Sequence, residues 1–415
     1  MVEKTKYKIL LVNKFYYQRG GDCIQMMSVE RLLKKHGHQV AVFSMQYPQN
    51  IKSEYSRYFV SNVNFAGGLK HKTKAIGRIL GLGDVRSAYL KILDDFKPDI
   101  VHLHNIHSYI SPIVAKLAKE RGCRVVWTLH DYKLVCPSYR CLSAGKPCEA
   151  CFTDKMAVIK NRCMKGGISA SILAYIEAKV WNIKRLCKYT DVFICPSSFM
   201  ATMVLKSGIE ENKIVTLCNF VDDEKLVLTD NTERVEREDY YCYVGRLSEE
   251  KGVRTLLKAT SELPYILKIA GDGPIFAELK LKYASDNIQF LGQLDSSEVR
   301  DLLAKARCSV IPSEWNENNP LSVIESLCMG TPVLGANIGG IPELINKENG
   351  LLYEPGNKDL LKKRVTELFC DEMFDHQKIK NSAINLFNSG RYYDALKNIY
   401  KQSIPIQPTS IDNSN

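Results

Sequence analysis

Residues 240–274 read YYCYVGRLSEEKGVRTLLKATSELPYILKIAGDGP, and the order of elements in this stretch decides the fold. Two apolar runs, Tyr240–Leu247 and Tyr265–Gly271, have the length and the aromatic and β-branched content of buried strands. Between them, the sequence near 252–262 has the apolar spacing of a helix. A strand, a covering helix and another strand in this order predict a parallel sheet with helices packed on it.

The same alternation continues toward the C-terminus. Its later members are predicted strands at Asn287–Leu291, Cys308–Pro312 and Pro332–Gly335, and predicted helices near 274–285, 296–305 and 320–329. This series is long enough to form a Rossmann-like sheet of its own.

A separate series of strands and helices precedes it. Its predicted strands are Lys8–Phe15, Gln39–Met45, Asp99–His104, Arg124–His130 and Asp191–Pro196, and its predicted helices are Ser28–His36 and Tyr109–Arg121. For segment 46–95 we expect helices and loops. The sequence therefore predicts an α/β protein of two Rossmann-like domains that face each other across a central cleft.

The predicted domain boundary follows from the polar, charged stretch 223–238, which we take as the connection between the sheets. We expect an N-terminal domain over 1–218, with a cysteine-rich insertion at 136–163, and a C-terminal domain over 219–388. The Pro-, Ser- and Asn-rich end, 404–415, is predicted to be a flexible tail.

The composition is that of a folded globular protein. Hydrophobic residues make up 45% and charged residues 25% of the 415 residues, which excludes a disordered chain. No apolar stretch reaches the roughly 18–20 residues of a membrane helix, and the N-terminus lacks a signal-peptide pattern, so we expect a cytoplasmic protein. The 14 Cys are accordingly expected to be reduced thiols or metal ligands, not a disulfide framework.

The net charge of +11 is concentrated in two segments of the N-terminal half. Residues 51–91 carry a net charge of +6 and residues 155–188 one of +7, so the rest of the chain is slightly acidic. No nucleic-acid-binding motif with interleaved aromatic residues accompanies them, and we expect no nucleic-acid partner. An anionic membrane surface, a phosphorylated acceptor and a merely solvated basic face remain open.

Candidate residues of the N-terminal domain follow two predicted strands, where parallel sheets bind their ligands. Gly20 and Gly21 stand between the first strand and its helix, where backbone N–H groups can approach a phosphate, although a plain turn would use the same glycines. They do not form a G-x-G-x-x-G fingerprint, which counts against an NAD enzyme. His130 ends another strand and can hydrogen-bond sugar hydroxyls; a structural histidine is the alternative.

In the C-terminal domain, two cations follow the first strand. Arg246 leaves the strand end and Lys251 begins the next helix, so both side chains can converge on a diphosphate. The strongest local signal is a loop and helix with two carboxylates, Glu317 and Glu325, each able to accept hydrogen bonds from one sugar ring. Between them lies a helix start whose amides favour an anion, formed by Asn318, Asn319, Pro320, Leu321 and Ser322.

Five cysteines crowd the insertion after His130: Cys136, Cys141, Cys148, Cys151 and Cys163. Cys148 and Cys151 have the C-x2-C spacing of half a zinc site. The spacing of the others is not that of a recognised zinc finger. Structural zinc and packed reduced thiols therefore both remain open, and no metal is predicted for the candidate active site.

Taken in order along the chain, these motifs resemble the group 1 (family 4) retaining glycosyltransferases over roughly residues 8–400. The matching pieces are Gly20-Gly21, Thr128-Leu129-His130-Asp131, Gly245-Arg246, Lys251-Gly252, Gly271-Asp272-Gly273-Pro274, Glu317 with Glu325, and Gly339-Gly340-Ile341-Pro342-Glu343. The resemblance implies the GT-B fold, with acceptor binding in the first domain and nucleotide-sugar binding in the second. It also implies that the last helix, 389–403, crosses back to the first domain.

The resemblance assigns a role to each candidate by position. The amide of Gly21 would contact the diphosphate, which Arg246 and Lys251 would hold. Glu317 would bind hydroxyls of the donor sugar and Glu325 those of the ribose. The chain departs from the commoner pattern at Asn318-Asn319, where Phe-Gly often stands, and at Ser326, where Ala is usual.

The predicted activity is transfer of a sugar, with retention, from a nucleotide-diphosphate-sugar donor to a glycan or polyprenyl-diphosphate-linked acceptor, as in bacterial surface-polysaccharide assembly. His130 would contact the donor sugar near its reacting end. No cofactor is expected, because fixed cations and amides can stabilise the leaving diphosphate and no Asp-x-Asp pair is present. The basic first domain favours peripheral attachment at the inner face of an anionic membrane. An inactive glycan-binding or partner module and a nucleotide-sugar epimerase are the alternatives.

Overall fold

The computed structural model describes residues 6–63, 69–164, 167–222, 236–370 and 373–401. The described chain forms two compact units. One comprises the residues up to Leu217 together with those from Tyr393 onward, and the other comprises Cys218–Tyr392. The predicted tail, 404–415, and most of the predicted connection at 223–238 lie outside the described residues.

The first unit is built on a parallel sheet whose strands are buried on both faces. Its described strands are β1 Lys8–Val12, β2 Gln39–Phe43, β3 Met45–Gln46, β4 Val60–Ser61, β5 Ile100–Leu103, β6 Arg124–Thr128, β7 Leu142–Ser143, β8 Lys146–Pro147, β9 Val192–Cys195 and β10 Ile214–Thr216. The main sheet has the order β10-β9-β6-β5-β1-β2 and pairs in parallel throughout. Branched and leucine side chains fill both faces of β1 and β5, as in sheets covered by helices on each side.

Helices of the first unit pack around this sheet. They are α1 Gly21–Lys35, α2 Leu69–Ile79, α3 Asp84–Phe96, α4 Ile113–Glu120, α5 Ala157–Lys160, α6 Gly167–Val180, α7 Ile183–Tyr189 and α8 Ser198–Lys206. One cation of the basic segment 51–91 belongs to this core, since Arg78 is buried and its guanidinium donates to Asp84 at 2.9 Å and to the Tyr109 carbonyl at 2.8 Å. The charge of this segment is therefore not all on the surface.

The second unit repeats the plan with a different strand order. Its strands are β11 Glu238–Val244, β12 Ile266–Ala270, β13 Ile288–Gly292, β14 Ala306–Ile311, β15 Val333–Ala336 and β16 Gly350–Tyr353, and its helices are α9 Val253–Thr260, α10 Phe276–Tyr283, α11 Ser296–Lys305, α12 Leu321–Cys328, α13 Lys358–Cys370 and α14 His376–Phe387. The sheet runs β13-β12-β11-β14-β15-β16, and all of its pairs are parallel. This is the 3-2-1-4-5-6 order of a Rossmann sheet. The predicted class, two Rossmann-like α/β domains, is confirmed.

Each sheet has a point at which the strand order reverses. In the first unit β1 lies between β2 and β5, and in the second β11 lies between β12 and β14. Ligands of open α/β sheets bind beyond the carboxyl ends of the strands that flank such a point. The strand order therefore predicts ligand-binding residues after β1 and β5 and after β11 and β14.

The last helix, α15 Ser389–Lys401, begins in the second unit and continues in the first. Within the first unit, the ring of Tyr393 stacks on His36 with centroids 3.5 Å apart, and the Tyr400 hydroxyl lies 2.7 Å from His102 Nδ1. These contacts make the C-terminal helix part of the first core. In the stretches that the structure describes, no helix combines the length and apolar character needed to cross a bilayer.

The structure corrects several predicted boundaries. The first helix begins at Gly21 and not at Ser28, because its first residues, Gly21 and Asp22, are more typical of a turn than of a helix. The strand expected at Arg124–His130 ends at Thr128, which leaves His130 in the following loop. Strands β10 and β16, at the edges of the two sheets, had not been predicted.

Candidate active site

The best-defined polar cluster of the second unit lies just after β11 and β14. Lys251 Nζ lies 2.7 Å from Oε1 of Glu317, and the Ser313 hydroxyl donates to the same oxygen at 2.6 Å. Glu317 is only 6% exposed. Burial alone would raise the pKa of Glu317, but the charge of Lys251 and the two hydrogen bonds outweigh it and hold that pKa below its usual value. The carboxylate is thus ionised and fixed in position at neutral pH.

Two glycine turns bring the loops of Lys251 and Glu317 together. Gly252 has a φ of +66°, and an added Cβ would lie 1.7 Å from the Pro312 carbonyl oxygen. Gly339 has a φ of +61°, and an added Cβ would lie 2.3 Å from the carbonyl oxygen of Glu317. The Gly340 N–H donates to that same carbonyl at 2.7 Å. The Gly339-Gly340 turn, one of the pieces that match the family pattern, thus supports the Glu317 backbone.

Arg246 follows β11 directly but has surroundings unlike those of Lys251. Its side chain is exposed, and it forms no ion pair or hydrogen bond with any residue that the structure describes. The Tyr243 hydroxyl donates to the Arg246 carbonyl at 2.8 Å, which fixes the backbone at the end of the strand. The structure thus presents a guanidinium whose donors are available to an anion.

The second carboxylate lies on the helix after β14. Helix α12 begins at Leu321, so Pro320 is the residue before the helix and not its first residue, and Pro320 itself makes no capping hydrogen bond. Leu321, Ser322 and Glu325 are all half-buried. The predicted placement of two acids along one loop and helix therefore agrees with the geometry, while the ligand roles of these residues stay predictions.

Both departures from the family pattern have structural partners. The Asn319 side chain accepts a hydrogen bond from the Asn219 N–H at 2.9 Å, and the Asn219 side chain donates to the Asn319 carbonyl at 2.9 Å. Ser326 lies in the core, where its hydroxyl accepts from Ser309 at 2.8 Å and donates to the Ser322 carbonyl at 2.7 Å. Asn319 thus fastens the segment around Asn219 to the helix start, and its side chain is engaged by the protein. Its neighbour Asn318 is half-buried.

The candidate residues of the first unit lie after β1, β5 and β6. Gly20 is the residue before α1 and Gly21 its first residue, and Gly21 is exposed. The next residue, Asp22, accepts a hydrogen bond from the Asn105 side chain at 2.6 Å. Burial would raise the pKa of Asp22, but Lys14, His130 and this hydrogen bond together lower it. Asp22, next to the glycine turn, therefore interacts electrostatically with His130.

His130 belongs to a row of stacked imidazoles. Its Nε2 lies 2.8 Å from Nδ1 of His104, and the ring of His104 stacks in turn on His102 with centroids 4.4 Å apart. Burial lowers the pKa of His130 to about 4, with Asp22 acting against the shift and Lys14 adding to it. Burial likewise lowers the pKa of His102 to about 3. Both imidazoles are therefore neutral at physiological pH.

Sequence reasoning missed four members of this first-unit cluster: Lys14, Asp22, His104 and Asn105. All of them directly follow β1 or β5 or stand at the start of α1, so the rule that pointed to His130 applied to them as well. Asn105 shows how closely they are tied, because its N–H donates to Asn13 Oδ1 at 3.1 Å and its carbonyl accepts from the Lys14 N–H at 2.9 Å.

The cysteine cluster lies apart from these strand ends, around the hairpin β7–β8. Hydrogen bonds from the thiols of Cys141 and Cys151 lower the pKa of Cys136 and raise their own. The Cys148 N–H donates to the Cys141 carbonyl at 2.8 Å. Within the described ranges, no three His, Cys, Asp or Glu side chains are placed to hold one metal ion.

The candidate residues form two groups, one in each unit, which we call the first and the second half-site. Comparison with known proteins gives both a family context. Residues 24–225 match the family described as Glycosyltransferase Family 4, and residues 228–385 match Glycosyl transferases group 1. An uncharacterised 42.6 kDa protein in the cps region of Klebsiella pneumoniae is 26% identical over 355 residues, which cover 81% of this chain and 87% of the relative.

Solved structures share the fold. Sucrose-phosphate synthase from Thermosynechococcus elongatus superimposes with a TM-score of 0.69 at 17% identity, covering 95% of this chain and 98% of that one. An Anabaena protein crystallised in complex with UDP gives a TM-score of 0.62 at 15% identity, covering 94% of this chain and 99% of that one. The predicted GT-B architecture is thereby confirmed.

Proposed function

This chain belongs to the group 1 glycosyl transferases, and from that premise we propose that it moves a sugar from a nucleotide-diphosphate-sugar donor to a glycan or polyprenyl-diphosphate-linked acceptor. The observation that carries the proposal is the pair of Lys251 and Glu317. A buried carboxylate, ionised because an ammonium group and a hydroxyl hold it, is a ready acceptor for sugar hydroxyls. Other support comes from the Anabaena protein, whose structure contains UDP.

In this proposal the second unit binds the donor. Arg246 supplies a fork of hydrogen-bond donors to the diphosphate, and Lys251 supplies a second positive charge close to Glu317. The amides at Leu321 and Ser322 add partial positive charge at the start of α12. In the same proposal Asn318 and Pro320 contact the donor from the loop before α12, and Glu325 accepts hydrogen bonds from the ribose hydroxyls.

For the first unit, we propose that His130 and the glycine turn Gly20-Gly21 contact a donor substrate near its reacting end. Cleavage of the bond between the anomeric carbon and the phosphate places charge on the departing diphosphate. A fixed donor aimed at such a charge is worth about 3–4 kcal/mol of barrier. We propose that these groups supply it without a metal ion, and that the sugar is transferred with retention, the departing phosphate oxygen accepting the proton of the acceptor.

The test is transfer from a panel of nucleotide sugars, with products identified by mass spectrometry and their anomeric configuration by NMR. Glu317→Ala should reduce turnover by a factor of about 10²–10³ while the circular dichroism spectrum stays unchanged. Glu249→Ala, at an exposed acid of the same unit, is the matched control and should keep full turnover. Full turnover by Glu317→Ala would remove Glu317 from the site.

The alternatives predict other products. An epimerase would convert the donor into an isomeric nucleotide sugar in the absence of acceptor. An inactive binding module would bind a glycan and release no nucleotide. Retention is refuted by the opposite anomer in the product, and metal independence by loss of turnover in EDTA that Mg²⁺ or Mn²⁺ restores.

We further propose that the first unit docks on an anionic membrane surface, which suits a lipid-linked acceptor. The outer face of α6 exposes Ile168, Ile172 and Ile176, at 53%, 42% and 38%, one helical turn apart. Two exposed cations follow this stripe in the sequence, Lys179 at the end of α6 and Lys184 at the start of α7. Exposed isoleucines can insert among the acyl chains of a bilayer, and nearby lysines are attracted to anionic headgroups.

Sedimentation with vesicles tests this docking surface. Phosphatidylglycerol vesicles should bind the protein, phosphatidylcholine vesicles should bind it weakly, and the triple variant Ile168→Ser, Ile172→Ser, Ile176→Ser should bind neither. Leu281→Ser in the second unit, where Leu281 is 92% exposed, should bind as the unaltered protein does. Equal binding by the triple variant would show that α6 is not the docking face.

The polysaccharide context is a further part of the proposal. It is supported by the likeness to a protein encoded in the cps region of Klebsiella pneumoniae. A transferase of this kind should convert a polyprenyl-diphosphate-linked sugar into a product one sugar heavier, and failure with every lipid-linked acceptor would leave a free glycan as the acceptor class.

A further inference from the structure

His104, which the sequence did not single out, is held firmly at the carboxyl end of β5. Its N–H donates to the Val12 carbonyl at 2.9 Å, and its own carbonyl accepts from the Trp127 indole at 2.9 Å. Its side chain is buried, and its Nδ1 faces Nε2 of His130 at 2.8 Å. Its other ring nitrogen, Nε2, is buried and has no hydrogen-bond partner among the described residues.

Both rings are neutral at physiological pH. Burial holds the pKa of His104 well below its ordinary value and lowers that of His130 to about 4. A hydrogen bond between two neutral imidazoles contains one hydrogen, so one ring donates and the other accepts. Either His104 donates through Nδ1–H, or His130 donates through Nε2–H.

The two arrangements differ at the buried Nε2 of His104. If His130 donated, the single hydrogen of His104 would lie on Nε2, where no described residue accepts it. If His104 donates, its hydrogen is used in the contact and Nε2 is left as a bare lone pair. Among buried backbone groups, an N–H without an acceptor is rarer than a carbonyl with too few donors, and we apply the same preference to the ring nitrogens. The geometry therefore favours His104 as the donor.

We propose that His104 is a positioning residue that fixes His130 in the tautomer with hydrogen on Nδ1, so that His130 offers the substrate a hydrogen-bond donor. The Nδ1 of His130 is the nitrogen free for this task, because the ring is half-buried and Nδ1 has no partner in the described chain. His130 then contacts an oxygen of the donor substrate and is not a base. The substrate contact rests on the proposed function; the tautomer does not.

The tautomer is measured directly by long-range ¹H–¹⁵N correlation NMR on protein labelled with ¹⁵N-histidine, at pH 7 and without substrate. The His130 and His104 signals are assigned from their absence in His130→Gln and His104→Asn. Hydrogen on Nδ1 and a bare Nε2 are expected for both rings. Hydrogen on Nε2 of His130 would overturn the inference, whatever the enzyme's activity.

Two variants test the positioning role in catalysis. His104→Asn keeps an N–H group near the place of Nδ1, whereas His104→Leu removes it. We expect kcat to fall about tenfold or more in His104→Leu with little change in KM for the donor, and to return to within about threefold in His104→Asn. Equal kcat in His104→Leu and the unaltered protein would contradict the positioning role.

Failure of the proposed function gives a different result. If His130→Ala transfers sugar at the full rate, His130 does not contact the substrate, while the NMR result for the tautomer still stands. A structural role of His104 alone would lower the melting temperature of both His104 variants and leave their kcat equal.

Discussion

The two candidate half-sites occupy the same place in their sheets but use opposite chemistry. The first unit has neutral imidazoles beyond β5 and β6, with His130 and His104 2.8 Å apart. The second has full charges beyond β11 and β14, with Lys251 and Glu317 2.7 Å apart. Burial disfavours the charged form in both places, and the outcomes differ because Lys251 outweighs burial at Glu317, whereas Asp22 does not outweigh it at His130. In each unit the strand order predicts where a ligand would bind, and the partners of the side chains determine their charge state.

Removing one member of the charged pair should therefore have the greatest effect. Lys251→Ala deletes a cation of the proposed diphosphate site and leaves Glu317 buried without its counter-charge. We expect kcat/KM to fall by a factor of about 10²–10³. We also expect the free energy of unfolding to fall by about 1–3 kcal/mol, because Lys251 is partly exposed and water offsets some of the loss. Steady-state kinetics and urea unfolding measure the two effects.

Lys258→Ala provides the control, since Lys258 is an exposed cation on the neighbouring helix α9. It should change neither quantity. If Lys251→Ala lost activity without losing stability, Glu317 would have found another partner, and the pair would not be the stable unit described above.

Replacing Arg246 should lower activity without lowering stability. Because it is exposed and has no partner in the described chain, Arg246→Ala should leave unfolding unchanged. We expect kcat/KM to fall about tenfold to hundredfold, less than for Lys251, because solvent screens an exposed charge. A loss of stability in this variant would show that Arg246 has a structural partner.

Much of the fold was predictable from the sequence, because hydrophobic runs and turn residues alternate at the spacing of strands and helices. The start of α1 at Gly21 was not, since Gly21 and Asp22 are residues that also begin loops. Glu317 and Lys251 were identified one by one from strand ends. Their contact was not predictable, because it depends on two turns that only the folded backbone brings together.

The glycine at one of those turns gives a smaller test of the second half-site. Gly339→Ala would place a methyl group 2.3 Å from the Glu317 carbonyl oxygen at a φ of +61°. We expect a loss of about 1–3 kcal/mol in the free energy of unfolding and a severalfold loss in kcat/KM as Glu317 moves. Gly356→Ala, also at positive φ but with open space around it, separates crowding from backbone strain. Equal losses in both variants would mean that crowding at Glu317 contributes nothing.

For the first half-site, the chemistry was less predictable than for the second. His130 was found because it follows a strand, but a histidine in a sequence does not reveal whether it is charged. Its charge depends on burial and on its neighbour His104. In the sequence, His104 cannot be told apart from a residue of the hydrophobic core. The state of an ionisable group is a property of its surroundings, which sequence spacing specifies only in part.

The two units should also differ in how acid affects their stability. Burial lowers the pKa of His130 and His38 to about 4 and that of His102 and His107 to about 3, and all four lie in the first unit. Between pH 6.5 and about 4 these histidines bind protons in the unfolded chain but not in the folded first unit. The free energy of unfolding of the first unit therefore falls as the pH falls. Glu317, with its lowered pKa, contributes stability to the second unit that is lost only below about pH 4.5.

Hydrogen exchange at pH 7 and pH 5, corrected for the intrinsic rate, measures the protection of backbone amides in each unit separately. Amides of β5 and β6 should lose protection at pH 5, while those of β11 and β14 should keep it. His107→Phe removes one buried imidazole, which stacks on Trp127 with centroids 5.1 Å apart, and should make the first unit less sensitive to acid. His71→Gln, at an exposed histidine, should not alter it. Equal loss of protection in both units would refute the contrast, because the acid sensitivity would then not come from the buried imidazoles of the first unit.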